Sequence, residues 1–202
     1  MKILLIVFLV GILVYFISRR FFQGGGPQSI VRANQKNGYL LIDTSSAIIS
    51  NVTKRTLWTV GIGFVLFLIT LVIGIKIKII LIALPLSLYL IAQLFVCTNH
   101  VKVARNQRLY FDPNNNEIWV DRIHGEEMRF NLLRDVQQVN EVKSVQANRG
   151  ILFGYYELKT SRGKLVIPYL VQQNQHSNNR LFFDCVNQNF KIVVETKLFP
   201  II

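Results

Sequence analysis

The side chains that could do chemistry are few and scattered along the chain. Three histidines occur, His100, His124 and His176, and none belongs to a cluster with metal-ligand spacing, which favours surface positions over metal ligands. Glu126 and Glu127 are adjacent in sequence, so on a strand their carboxylates would point to opposite faces, a poor geometry for paired acid–base catalysis.

The two cysteines, Cys97 and Cys185, are predicted to be free thiols in a reducing compartment. The chain contains no nucleophile elbow, P-loop or dinucleotide-binding fingerprint, and Gly24–Gly26 follow an apolar segment rather than a strand. We therefore predict no catalytic, cofactor-binding or metal-binding residue, no cofactor, and a protein that is not an enzyme. The alternative is a membrane enzyme whose site forms between a domain and the bilayer.

The elements that organise the chain are apolar segments. Leu57–Cys97 spans 41 residues with only two charges, Lys76 and Lys78, which divide it into two uncharged runs of 19 residues. Each run is close to the roughly 20 residues that a helix needs to cross a bilayer. The pattern predicts a transmembrane helical hairpin with the lysines at its turn. One long buried helix broken at Lys76 is the alternative.

A third apolar segment, Ile3–Ile17, lies near the N-terminus and is followed by Arg19 and Arg20. A secretory signal peptide would need small residues at a cleavage site, and none follows this run. We therefore predict an uncleaved anchor, and a membrane protein with three transmembrane helices.

Basic residues predict the orientation of these spans. Residues 18–56 carry six Lys and Arg side chains, whereas Lys2, Lys76 and Lys78 would lie on the opposite side. The positive-inside rule then places both this loop and the C-terminal region in the cytoplasm. The predicted membrane-surface residues are Arg19, Arg20, Lys54, Arg55, Lys102, Arg105 and Arg108.

The net charge of +12 does not indicate a nucleic-acid partner. Residues 1–99 carry nine Lys and Arg and one acidic residue, whereas residues 100–202 carry fourteen and ten. Most of the excess therefore flanks the apolar segments, where anionic lipid head groups attract it. We predict that the protein contacts the lipid bilayer and does not bind nucleic acid.

Residues after the hairpin show the alternation of a β domain. Strands are predicted over Arg108–Asp112, Glu117–Arg122, Met128–Asn131, a fourth segment through Val136, Val139 and Val142 with one irregular step, Ile151–Thr160 and Lys164–Val171. In the second strand, the alternation places Ile118 and Val120 inward and predicts a partly exposed Trp119.

The pattern then changes to a helical period over Asn178–Phe190, with Ser177 or Asn178 as the cap. The predicted apolar stripe comprises Leu181, Phe182, Cys185, Val186 and Phe190. Lys191–Leu198 resumes an extended pattern. These elements predict an α+β protein in which a small antiparallel β domain carries one C-terminal helix.

This layout resembles the bacterial membrane-anchored pleckstrin-homology family, in which a transmembrane hairpin leads into a PH-like domain. The resemblance is carried by Leu109–Val120, Arg129–Val136, Tyr156–Lys159 and Lys164–Ile167, and covers residues 57 to about 190. It implies that Arg129–Val136 is a short turn entering the fourth strand. The loop 113–117 lacks the Lys and Arg that phosphoinositide-binding relatives use, so specific recognition of an inositol phosphate is not expected.

The resulting organisation is an N-terminal transmembrane anchor (1–20), a cytoplasmic loop (21–56), a transmembrane hairpin (57–98) and a cytoplasmic PH-like domain (99–202) in the bacterial inner membrane. The expected function is that of a membrane-anchored adaptor or accessory protein that binds a protein partner. A toxin-immunity protein and an accessory subunit of a secretion or transport complex are the alternatives. The sequence identifies neither the partner nor the oligomeric state, and a homo-oligomer stays open.

Overall fold

A computed structural model describes residues 38–123, 127–145, 153–161 and 163–202. The predicted N-terminal anchor, with Arg19 and Arg20, lies outside the described residues. So do His124 and Glu126.

The described chain starts with a short strand and then runs through two long helices. Strand β1 (Leu40–Ile42) leads into α1 (Ser46–Gly74), which a 3-10 helix (Lys78–Ile82) connects to α2 (Ala83–Asn106). The remaining elements are β2 (Gln107–Asp112), β3 (Glu117–Arg122), β4 (Met128–Asn131), α3 (Leu132–Asp135), β5 (Val136–Ser144), β6 (Gly154–Thr160), β7 (Gly163–Pro168), α4 (Tyr169–Gln172), α5 (Ser177–Asn189) and β8 (Val193–Lys197).

The strands form two four-stranded sheets with the orders β1-β2-β3-β4 and β7-β6-β5-β8. All pairings are antiparallel except that of β8, which runs parallel to β5. The predicted irregular step in the fourth segment is confirmed as a register shift between Val136 and Gln138. The short turn implied by the family resemblance is α3, where the Asn131 side chain caps the helix and the Asp135 carboxylate accepts the Asn131 N–H.

The helical hairpin is inserted between the first two strands of the first sheet. Strand β1 pairs with β2, with Ile42 opposite Leu109, and the two helices occupy the whole connection between them. Residues 40–42, which the sequence assigned to the loop before the hairpin, therefore share a sheet with the β domain. The predicted Leu109–Val120 hairpin consists of the second and third strands.

One apolar core lies between the sheets and α5. Leu109, Ile118 and Phe130 enter it from the first sheet, and Leu158 and Ile167 from the second. From α5, the Phe182 ring packs edge-on against Phe111 at a centroid distance of 5.4 Å. The helix closes one face of the domain, as predicted.

Two details of side-chain placement differ from the predictions. Ile118 and Val120 face the core as expected, but Trp119 on the opposite face is only 6 % exposed. Its ring lies between Tyr110, at 5.3 Å, and the Arg129 guanidinium, at 4.2 Å, so a second layer covers the sheet there. In α5 the buried stripe contains Phe183 instead of Leu181, which is exposed.

Two helical segments, Ser46–Gly74 and Lys78–Asn106, are long and apolar enough to cross a membrane. They correspond to the two spans predicted within Leu57–Cys97. The third predicted span lies outside the described residues, so the described chain supports two such helices and not three.

Candidate functional site

The end of the helical hairpin nearest the β domain is fixed to that domain by an apolar cluster. Val52 of α1 and Val96 and Cys97 of α2 pack with Phe153, before β6, and with Leu170 of α4. All five are buried, and we call them the base cluster. Because the cluster joins both helices to the second sheet and α4, it attaches the hairpin to the domain in addition to the chain connections to β1 and β2.

A polar clasp holds the segment between β1 and α1. The Asp43 carbonyl accepts hydrogen bonds from the Nδ2 groups of Asn174, at 2.9 Å, and Asn179, at 2.7 Å. Asn179 also donates to the Val171 carbonyl at 2.7 Å, which links this segment to α4. Burial raises the pKa of the Asp43 carboxyl, while His176 opposes the shift. The clasp ends at Ser45, whose hydroxyl caps α1 by accepting the Ile48 N–H.

The packing of α1 against α2 sets the relative heights of their side chains. Gly63 lies opposite Ser87 and Leu90, and Val52 packs in the base cluster with Cys97. Lys54 and Arg55 therefore lie near the level of Cys97. At 1.5 Å per residue, Lys102 and Arg105 lie about 8 and 12 Å further toward the β domain.

The predicted membrane-surface residues are thus not brought together at one height. Lys54, Arg55, Lys102 and Arg105 are exposed on the two helices. Arg108 lies half-buried in β2, where its strand partner is Asp121. Their common contact with a membrane surface stays a prediction.

Two aromatic side chains lie further toward the hairpin turn, Trp58 by about one turn from Lys54 and Phe95 by about 3 Å from Cys97. Trp58 on α1 and Phe95 on α2 are at similar heights, and both are strongly exposed, at 67 % and 64 %. Beyond them, the exposed side chains as far as Ile75 on α1 are apolar, including Ile62, Val65, Ile69 and Val72. Two hydroxyls in this stretch are satisfied locally: the Thr70 hydroxyl donates to the Leu66 carbonyl at 2.8 Å, and the Ser87 hydroxyl to the Leu84 carbonyl at 2.8 Å.

The outer edge of the second sheet is formed by β8. All five of its residues are exposed, including Val193 and Val194. A parallel pairing from Asn140↔Val193 to Ser144↔Lys197 covers the edge of β5. The edge that the domain offers for a further strand on this side is therefore β8 and not β5.

The loop between β2 and β3 is organised by an acid. The Asp112 carboxylate accepts the Asn114 N–H at 2.9 Å and the Asn115 side-chain amide at 2.8 Å. Asn116 takes a positive φ of 54°, which asparagine tolerates in a tight turn. The loop itself contains no Lys or Arg, and the absence of inositol phosphate recognition stays a prediction.

The C-terminal tail, Leu198–Ile202, contacts α2, and sequence reasoning did not foresee this contact. The His100 Nε2–H donates to the Pro200 carbonyl at 2.7 Å, and Asn99 binds both the N–H and the carbonyl of Ile202. The Phe199 ring lies 5.4 Å from that of Tyr89. Burial lowers the pKa of His100 to about 4, so the imidazole is neutral and can donate from Nε2 at ordinary pH.

The described histidines, His100 and His176, and the two cysteines lie apart in the structure. His100 is buried, His176 caps α5 by accepting the Asn178 N–H, and the two cysteines are free. Within the ranges that the structure covers, no three His, Cys, Asp or Glu side chains are arranged to hold a metal ion.

Comparison with known proteins agrees with this architecture. A family model described as PH domain matches residues 39–179, which include β1, both long helices and the start of α5. Searches of the curated proteins and of the solved structures returned no match. The matched region begins at β1 and treats the helical hairpin as internal to the domain, as the sheet pairing does, and the chain belongs to the PH domain family.

Proposed function

We propose that the protein is a non-enzymatic membrane-anchored adaptor, in which α1 and α2 cross the bacterial inner membrane and the PH-like domain binds a protein partner in the cytoplasm. The observation that carries the proposal is the pair of long apolar helices rising from adjacent strands of a binding domain. PH-like domains are binding modules, and the family membership supports a protein or lipid ligand.

The exposure of the helices supports a membrane environment. A core helix of a soluble protein is mostly buried. In these two segments, by contrast, only 28 % and 22 % of the most apolar 18-residue stretch is buried. Eighteen residues separate Trp58 from Lys76, which corresponds to about 27 Å of helix and matches a hydrocarbon core of about 30 Å. Trp58 and Phe95 then form an aromatic belt at one interface.

The charge at the two ends supports a cytoplasmic domain. Lys54, Arg55, Lys102 and Arg105 are exposed on the domain side, and Lys76 and Lys78 lie at the turn. Four basic residues against two favour the domain side as the cytoplasmic side. The four basic residues between positions 18 and 37, which the sequence predicts to be cytoplasmic, would add to this difference.

The open edge of β8 supports a protein ligand. An exposed strand edge carries backbone groups that can pair with a strand of another chain, and pockets on either side give specificity. The β2–β3 loop, by contrast, lacks the cations that an inositol phosphate would need. We therefore assign partner binding to the β8 edge.

The orientation can be tested by labelling single cysteines in intact cells, in a background without Cys97 and Cys185. Asn115→Cys, in the exposed β2–β3 loop, should resist a membrane-impermeant thiol reagent until the cells are lysed. Lys76→Cys, in the exposed hairpin turn, should react in intact cells and is the matched control. Labelling of Asn115→Cys before lysis would overturn the cytoplasmic placement.

Partner binding can be tested by photo-crosslinking in the full chain. A photoreactive amino acid at Glu195, on β8, should give a discrete crosslinked species, whereas the same group at exposed Gln188 on α5 should not. The identity of the crosslinked chain separates a toxin, a secretion or envelope-assembly component and a second copy of this protein. Equal products at both positions, or none at Glu195, would contradict the assignment of the β8 edge.

A further inference from the structure

The tail Leu198–Ile202 is an irregular apolar segment placed beside a helix that we assign to the bilayer. It follows β8 directly, and the Val145 N–H donates to the Lys197 carbonyl at 3.2 Å, where the strand ends. From there the chain turns onto α2, with Phe199 packed against the base cluster.

The tail extends to the level of the assigned membrane boundary. Tyr89 lies six residues, or about 9 Å, beyond Phe95 in the direction of the hairpin turn. The 5.4 Å contact between the Tyr89 and Phe199 rings therefore brings Phe199 to or past the level of Phe95. A cytoplasmic domain thus extends one of its own segments to the depth of the aromatic belt.

Part of the tail backbone has hydrogen-bond partners within the protein. Pro200 has no N–H, and its carbonyl accepts from His100 at 2.7 Å. The Ile201 N–H donates to the Phe199 carbonyl at 2.9 Å, and the Ile202 N–H donates to Asn99 Oδ1 at 2.8 Å. Non-helical backbone near hydrocarbon needs internal hydrogen-bond partners of this kind, because lipid supplies none.

The side chains that the tail leaves exposed are apolar. Leu198 and Ile201 are each 55 % exposed, while Phe199 and Pro200 face α2 and the base cluster. The preceding residue, Lys197, is exposed, and its ammonium group lies 3.7 Å from the Glu195 carboxylate. An apolar tip whose backbone is partly hydrogen-bonded within the protein suits a lipid interface better than water.

We propose that Leu198–Ile202 is a membrane-interface wedge, which inserts Leu198 and Ile201 among the lipids next to α2 and holds the PH-like domain at a defined height. This inference rests on the proposed membrane anchoring of α1 and α2. Asn99 and His100 are its positioning residues, since they hold the tail backbone against the helix. The wedge would give the second sheet a lipid contact of its own, in addition to the two helices.

Nitroxide labelling of the full chain in liposomes of phosphatidylethanolamine and phosphatidylglycerol tests the wedge. Single cysteines replace Ile201, Val194 and Ile69 in a Cys97→Ala, Cys185→Ala background. The three native side chains have similar exposed fractions, 55 %, 50 % and 48 %, so they form a matched set. Collision rates of each label with oxygen, which partitions into lipid, and with a water-soluble nickel chelate report its depth.

The label at Ile201 should show a severalfold higher ratio of oxygen to nickel collisions than the label at Val194, and a lower ratio than that at Ile69. Adding Asn99→Ala should lower the ratio at Ile201 toward that at Val194, because the tail loses two hydrogen bonds. A label at Ile201 that matches Val194 while Ile69 is buried in lipid would refute the wedge and leave the anchoring intact. A water-exposed Ile69 would refute the anchoring and the wedge with it.

Discussion

The packing of α1 on α2 makes opposite predictions for two glycines two residues apart. A Cβ added at Gly63 would lie 2.5 Å from Leu90 Cβ and 3.1 Å from the Ser87 carbonyl oxygen. A Cβ added at Gly61 would meet no atom within 4 Å. Since both positions are helical, Gly61→Ala is a control that changes helix propensity equally but makes no contact.

The magnitude follows from two opposing effects. Alanine is favoured over glycine inside a helix by about 1 kcal/mol, and Gly61→Ala should show that gain or be neutral. At Gly63 the same gain is opposed by a contact about 1 Å shorter than the usual 3.5–4.0 Å between carbons. Relieving it separates the helix backbones, and overpacking of this kind costs about 1–3 kcal/mol. The two variants should therefore differ by about 1–3 kcal/mol, with Gly63→Ala the less stable.

Thermal unfolding of the full chain in a mild detergent, followed by circular dichroism at one fixed scan rate, measures this difference. For a chain of this length, 1 kcal/mol corresponds to about 2–4 °C, so the apparent Tm of Gly63→Ala should lie several degrees below that of Gly61→Ala. Equal Tm values would show that the helices do not approach at Gly63, and the alignment of heights derived from this contact would be wrong.

Three further predictions concern the domain and its junction with the hairpin. The folded state lowers the pKa of His100 to about 4, below the unfolded value of about 6.5. The free energy of unfolding should therefore be highest above pH 6.5 and fall by up to about 3 kcal/mol as the pH drops toward 4. His100→Gln should remove this pH dependence from a series of thermal melts. Burial raises the pKa of the Asp43 carboxyl, so its ionised form destabilises the folded state at pH values above the unfolded pKa. Asp43→Asn should therefore raise the Tm at pH 7 and give a smaller gain near pH 4. An equal gain at both pH values would point to another cause. Val120→Asp buries an unpaired charge and should destabilise the full chain more than Trp119→Ala does. Trp119→Ala should itself lower the free energy of unfolding by about 3 kcal/mol. The reverse order of Tm values would mean that the opposite face of β3 faces the core.

Local patterns predicted the elements of the domain better than their connections. The strands, the bulged step after Val136 and the C-terminal helix have periodicities that are complete within about ten residues. Strand β1 does not: its three residues pair with Leu109–Phe111, on the far side of two long helices. The apolar run Tyr39–Ile42 was visible, but nothing near it in the sequence indicates its strand partner.

The burial of a side chain was predicted correctly where it depends only on which face of its own strand or helix packs against the core. Alternation assigned Trp119 to the outer face of β3, but the rings that cover it belong to Tyr39, on a different part of the chain, and to Tyr110. In α5, Leu181 and Phe183 flank Phe182 symmetrically, and the helical period alone does not choose between them. The choice is set by Asn179, whose bonds to Asp43 and Val171 fix the rotation of the helix.

Because the hairpin is inserted within the domain, the domain is attached to the helices at more points than a single linker would provide. Strand β1 leads into α1 through a three-residue segment, α2 continues directly into β2, and the base cluster adds a third attachment through Phe153 and Leu170. Three separate attachments restrict rotation of the domain relative to the helices. In the membrane orientation that we propose, the β8 edge would be presented at a fixed height and direction, and a partner that is itself held in the membrane would lose little orientational freedom on binding it. A rigid scaffold of this kind suits recognition within the plane of the membrane better than capture of a freely diffusing ligand.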